Sequence, residues 1–141
     1  MGIKRDKYVF LRDTSPGNHK IFTVPAGRVW SIDWLHVRFR SNALPGSRLL
    51  SMRLMLPSEP GKPLARFISP VYQHVGSVWR YQFLPGILEA PTRVHAGNIV
   101  YLPIPDQFVL NEGWEIHIED MNDTDPDDHI EVRSLVALQE K

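Results

Sequence analysis

Six histidines, His19, His36, His74, His95, His117 and His129, are the first residues to test for chemistry. No two share an HxH, HxxxH or HExxH spacing, by which imidazoles on one strand or helix converge on a metal. His117-Ile118-Glu119 comes nearest to the pattern of a metal-binding cupin, but the other ligands of that pattern are missing. Strand and turn histidines facing solvent are therefore expected. The densest acidic cluster runs from Glu119 to His129, and in it Asp123, Asp125 and Asp127 alternate like the opening of a calcium loop. The glycine and closing glutamate of an EF-hand are absent, so a turn rich in Asp, Asn and Pro, solvated or facing a partner, is the expectation. With no cysteine there is no thiolate nucleophile, zinc site or disulfide. No GxSxG and no glycine-rich phosphate loop appears, and no serine has the surroundings of a nucleophile. The chain reads as a non-enzyme, with no catalytic, metal or cofactor residues to assign.

The tryptophans raise one further possibility, a platform on which sugar rings stack. Trp30, Trp79 and Trp114 lie in phase with apolar neighbours, however, which predicts core positions for all three. The phases are those of strands. Leu50, Met52, Leu54 and Leu56 alternate with Ser51 and Arg53, and Trp79, Tyr81 and Phe83 with Arg80 and Gln82. Trp114, Ile116 and Ile118 alternate with Glu115, His117 and Glu119. Ile130, Val132, Val136 and Leu138 share a face that Ser134 interrupts. Period two with one apolar and one wet face is the mark of a half-buried strand.

Between Arg28 and Arg40 the apolar phase switches from Trp30, Ile32 and Trp34 to Leu35, Val37 and Phe39. That switch predicts a bulge, or a bend by which one strand serves two sheets. Twelve prolines and nine glycines, scattered along the chain, leave no room for an ordinary helix. Val24-Pro25-Ala26-Gly27, Val94-His95-Ala96-Gly97 and Leu110-Asn111-Glu112-Gly113 repeat one turn grammar, each leading into an apolar strand. About ten short strands in 141 residues predict a single all-β domain, an antiparallel β-sandwich or jelly roll over residues 8–141, preceded by an extended arm at residues 1–7.

No apolar run is long enough for a membrane helix, and the N-terminus shows no signal-peptide pattern. Formal net charge is zero, yet residues 1–53 carry ten Lys/Arg against three Asp/Glu, and residues 111–141 carry two against ten. A neutral whole with opposed ends lacks the basic footprint of a nucleic-acid binder. Either the two ends neutralise one another within a subunit, or basic and acidic surfaces meet between subunits. On the second view the candidate partner contacts are Lys4, Arg5, Lys7, Arg38, Arg40 and Arg48 on the basic side. Asp123, Asp125, Asp127 and Asp128 are their acidic counterparts.

Two stretches carry a resemblance. One is Ile21-Phe22-Thr23-Val24-Pro25-Ala26-Gly27-Arg28-Val29-Trp30 with the strand after it and Gly46-Ser47-Arg48-Leu49-Leu50. The other is Phe108-Val109-Leu110-Asn111-Glu112-Gly113-Trp114, followed by the Asp-rich turn that closes on Asp127-Asp128 and a last strand to Leu138. Together they resemble small jelly-roll virion proteins of tailed bacteriophages. The resemblance implies a capsid cement or decoration protein that clamps neighbouring capsomers. Its implied partners are the major capsid protein of the particle and further copies of itself as a dimer or trimer. Neither nucleic acid nor membrane is an implied partner, no cofactor is implied, and the protein would be made in the host cytoplasm and reside in the virion. A carbohydrate- or receptor-binding sandwich of a phage tail or fibre is the alternative, and a cupin-type enzyme the third class. The proline-rich stretch 41–76 matches nothing in the resemblance and reads as an elaboration that touches the shell.

Overall fold

The structure is a computed structural model that describes residues 7–59, 62–86, 92–94 (backbone only), 98–106, 108–122 and 125–140. Its strands are Lys7–Asp13 (β1), His19–Thr23 (β2), Val29–Arg40 (β3), Leu50–Met55 (β4), Pro63–Ile68 (β5), Val78–Pro85 (β6), Thr92–Val94 (β7), Ile99–Ile104 (β8), Val109–Leu110 (β9), Glu115–Asp120 (β10) and His129–Glu140 (β11). No helix occurs among the described residues, as the spread of proline and glycine requires. The larger sheet runs β1-β11-β3-β6-β8-β7, with β9 also paired to β3, and the smaller runs β2-β10-β4-β5. Every pairing between these strands is antiparallel except β6 with β8. The chain is thus an all-β sandwich. Its core lies between the two sheets, with Leu35, Val37 and Phe39 from one facing Leu50, Met52 and Leu54 from the other.

The phase switch in β3 is a bulge. Val136 pairs with Trp34 while Ala137 pairs with Ile32, so Asp33 is the extra residue and stands exposed. The strand does not cross to the second sheet as the bend reading expected; it stays beside β11 throughout and changes its other neighbour, from β9 at Trp30 and Ser31 to β6 from Leu35 onward. A second bulge at Arg133 explains the interruption seen at Ser134. Beyond it the inward residues of β11 are Leu135 and Ala137, not Val136 and Leu138. One inserted residue reverses the faces of everything after it.

Two of the recurrent turns pack against each other. Gly27 and Gly113 have φ of 72° and 80°, in the left-handed region. The Gly113 N–H donates to the Val24 carbonyl at 2.9 Å, and the Val24 N–H donates to the Trp114 carbonyl at 2.9 Å. Gly97, in the third turn, lies outside the described residues. A Cβ at Gly113 would meet open space, so its penalty is conformational only. We expect Gly113→Ala to cost about 1–2 kcal/mol, read from the urea midpoint. An unchanged midpoint would mean that the turn relaxes.

The stretch 41–76 is not a peripheral elaboration. It supplies β4 and β5 of the smaller sheet and a buried polar knot. In that knot the Gln73 amide donates to the Phe39 carbonyl at 2.8 Å and accepts from the Tyr81 hydroxyl at 2.8 Å. Lys7, assigned above to an arm, is the first residue of β1 and pairs with Gln139.

Candidate docking face

The charged residues singled out by the sequence divide into buried and exposed sets. Arg48 and Asp128 are buried together, with both side chains 0% exposed. The Arg48 guanidinium donates to Asp128 through Nε at 2.9 Å and Nη2 at 3.2 Å, and through Nη1 to the Gly46 carbonyl at 2.6 Å. Asp128 also accepts the Asn42 N–H at 2.7 Å. The position of Arg48 follows from its backbone pairing with Gln73, just ahead of β4. That of Asp128 follows from the turn before β11, where its N–H donates to the Asp125 carbonyl. Asp125 is buried too, its carboxylate accepting the Asp127 N–H at 2.9 Å. Arg48, Asp125 and Asp128 are therefore not partner contacts, because burial and internal bonds leave them almost no surface to offer.

Arg40 and Asp127 are exposed and border a depression of about 450 Å³ with Pro16, Gly17, Asn42 and His129. Lys7 is exposed on β1, while Lys4, Arg5 and Asp123 lie outside the described residues. Part of the charge split of the sequence is settled inside one chain. Arg48–Asp128, Arg53–Glu119 and Arg38–Glu131 each join the basic third to the acidic third.

The outer face of the smaller sheet brings together a cluster that spacing along the chain could not show. His19 Nε2 on β2 is 3.0 Å from His117 Nδ1 on β10, and His117 Nε2 is 3.1 Å from Glu115. Glu119 stands 3.7 Å from His19 and is bonded to Arg53. Among the described residues no group of three or more His, Cys, Asp or Glu is arranged to hold a metal ion.

The outer face of the larger sheet carries exposed aromatic surface. Phe10 is 75% exposed and Tyr8 51%, on an edge strand whose inward residues Val9 and Leu11 pack on the core. Phe10 pairs with Val136, which pairs in turn with Trp34, so three apolar side chains form a row across β1, β11 and β3. Tyr8 and Leu138 add a second row at its margin. Trp34 is the one tryptophan not in phase with the core, and its ring stacks on His36 at 5.8 Å with the planes 15° apart. Neither Trp34 Nε1 nor His36 Nε2 has a hydrogen-bond partner among the described residues, although both atoms are buried.

Beyond His36 the face turns basic. His36, Arg38, Arg80 and Arg133 border a depression of about 410 Å³. Glu131 bridges Arg133 at 3.0 Å and Arg38 at 3.6 Å. Burial alone would raise the Glu131 carboxyl, but the bond from Arg133 and the charges of Arg38, His129 and Arg133 outweigh it and hold it below its usual value. Burial, then the charges of Arg80 and Arg133, hold the His36 imidazole below the ordinary histidine range. The unfolded chain thus binds a proton that the folded one resists. This contribution to stability is full above about pH 6.5 and declines as pH falls below it. We expect His36→Gln to lessen the loss of stability between about pH 6.5 and 5, measured by urea midpoints at each pH. An unaltered slope would show that His36 titrates normally.

No protein-family model and no curated protein matches the chain.

Proposed function

We propose that this chain is a structural assembly subunit, a jelly-roll cement or decoration protein of a phage shell, which docks by the outer face of its larger sheet. The strand order supports the fold half of this reading. Four strands in the order β1-β11-β3-β6 lie over four in the order β2-β10-β4-β5, with the first strand beside the last in chain order. This order supports a winding of two interlocked Greek keys, with β7, β8 and β9 inserted before β10.

The observation that carries the functional half is the row Phe10–Val136–Trp34 beside the arginine depression. An apolar centre with a charged border is how protein interfaces are built, and a monomer in water gains nothing from displaying Phe10. Among the described strands β1 pairs only with β11, so its other edge offers backbone groups that another strand can satisfy. The partners on this reading are the major shell protein and a second copy of the chain, and no chemistry is asked of the protein. A sugar-binding tail or fibre module is the second reading, favoured by the placement of Trp34 on a sheet face outside the core. Copy number separates the two, since cement is needed at every capsomer and a receptor-binding module at a few sites.

The test is sedimentation of purified protein with shells that lack it. Replacing a central aromatic anchor costs about 2 kcal/mol or more, so Phe10→Asp should weaken attachment about thirtyfold while leaving the melting temperature nearly unchanged. Attachment at native affinity would remove this face from the interface.

A further inference from the structure

We infer that the depression bordered by His36, Arg38, Arg80 and Arg133 is a carboxylate-binding site, built to receive an acidic side chain of a protein partner. The inference rests on the docking reading and names what the partner must present there. Arg38 and Arg80 stand directly opposite each other on β3 and β6. Like charges in that position destabilise a sheet. On its other side Arg38 has Glu131 as its cross-strand neighbour, but the corresponding neighbour of Arg80 on β8 is Ile99. Among the described residues no carboxylate pairs with Arg80, which is exposed. Arg38 and Arg133 therefore share one carboxylate while Arg80 has none among the described residues, and the uncompensated charge borders the depression.

The fold does not need this excess, whereas an arriving anion does. Guanidinium forks match the planar two-oxygen geometry of a carboxylate, and Arg38 and Arg133 already meet one here, each through a single nitrogen at Glu131 Oε2. Phosphate would satisfy the same forks. Two features favour an acidic protein segment over a phosphate polymer. The depression is continuous with the row Phe10–Val136–Trp34 through the Trp34–His36 stack, so a segment with an apolar residue next to an acidic one fits both halves. The chain also has zero net charge, without the overall basic footprint by which a phosphate polymer is bound.

The test follows the Arg side-chain Nε–H signals by NMR in the full chain during titration with three probes. These are an acetylated, amidated tetrapeptide Phe-Glu-Glu-Glu, its Phe-Gln-Gln-Gln counterpart and inorganic phosphate. The glutamate peptide should shift the Arg38, Arg80 and Arg133 signals saturably and the glutamine peptide should not. Arg80→Ala should weaken the glutamate peptide about tenfold, with Arg80→Lys intermediate because charge is kept and the fork is lost. Arg80 is exposed, so these variants should melt no lower than the native protein. Absence of a saturable shift, or a shift indifferent to Arg80→Ala, would overturn the site. Binding of phosphate in preference to the glutamate peptide would overturn the choice of carboxylate. Either failure leaves the docking reading standing or falling on the Phe10→Asp attachment assay, which does not involve the arginines.

Discussion

Asp128→Ala should destabilise the protein by about 3–5 kcal/mol, the range for removing one partner of a buried ion pair. Arg48 has no solvent exposure, and its guanidinium is held by Asp128 and by the carbonyls of Gly46 and Asn42. Removing the carboxylate leaves a full positive charge in the interior facing dipoles alone. It also orphans the Asn42 N–H, which donates to Asp128 at 2.7 Å. The stranded charge costs more than the lost hydrogen bonds, so the loss should exceed that from any exposed pair on the molecule, such as Arg133–Glu131. The same reasoning predicts a recovery. In the double variant Arg48→Met, Asp128→Leu neither charge remains to be desolvated, and much of the lost stability should return. Urea unfolding of the two single variants and the double variant checks this. A loss under about 1 kcal/mol for Asp128→Ala would mean that water reaches the pair.

Trp79→Ala should cost about 3–5 kcal/mol, as large buried aromatics do. Trp79 is fully buried on β6, opposite Phe39 in register, with His74 edge-on at 5.5 Å and Tyr81 stacked at 6.4 Å. Core residues of both sheets surround it, so little can collapse into the space it leaves. Alternation in the sequence makes Trp114 equally central, but it is only partly buried, at the margin of the core where β10 begins. Trp114→Ala should therefore cost clearly less than Trp79→Ala under the same urea titration. Equal losses would contradict the burial on which this ranking rests.

The strands were legible because period two survives wherever one face is wet. Leu50, Met52 and Leu54 in β4 and Ile116 and Ile118 in β10 are buried in the phase in which they alternate. The bulge at Asp33 showed itself because tryptophans and aliphatics mark both phases of β3. The bulge at Arg133 did not, because Val136 is apolar on the outer face and imitates an inward residue. Charge was the least legible feature. Nothing local in Ser47-Arg48-Leu49 marks a buried guanidinium. Its burial depends on Asp128, eighty residues along the chain, and on the pairing with Gln73. Of the arginine depression the sequence marked only Arg38 as a candidate contact, since Arg38, Arg80 and Arg133 come from three strands that only the sheet order makes neighbours. Lone residues each read as a wet-face charge, and only register turns them into a group.

Attachment to a shell through the outer face of the β1-β11-β3-β6 sheet is the central claim. An electron-microscopy map of particles that carry the protein tests it most directly. Many copies are expected, each with Phe10, Trp34 and Arg80 turned toward the neighbouring protein and density meeting them. A map in which that face looks out to solvent, or in which the protein occurs only in a few copies on the tail, would contradict it.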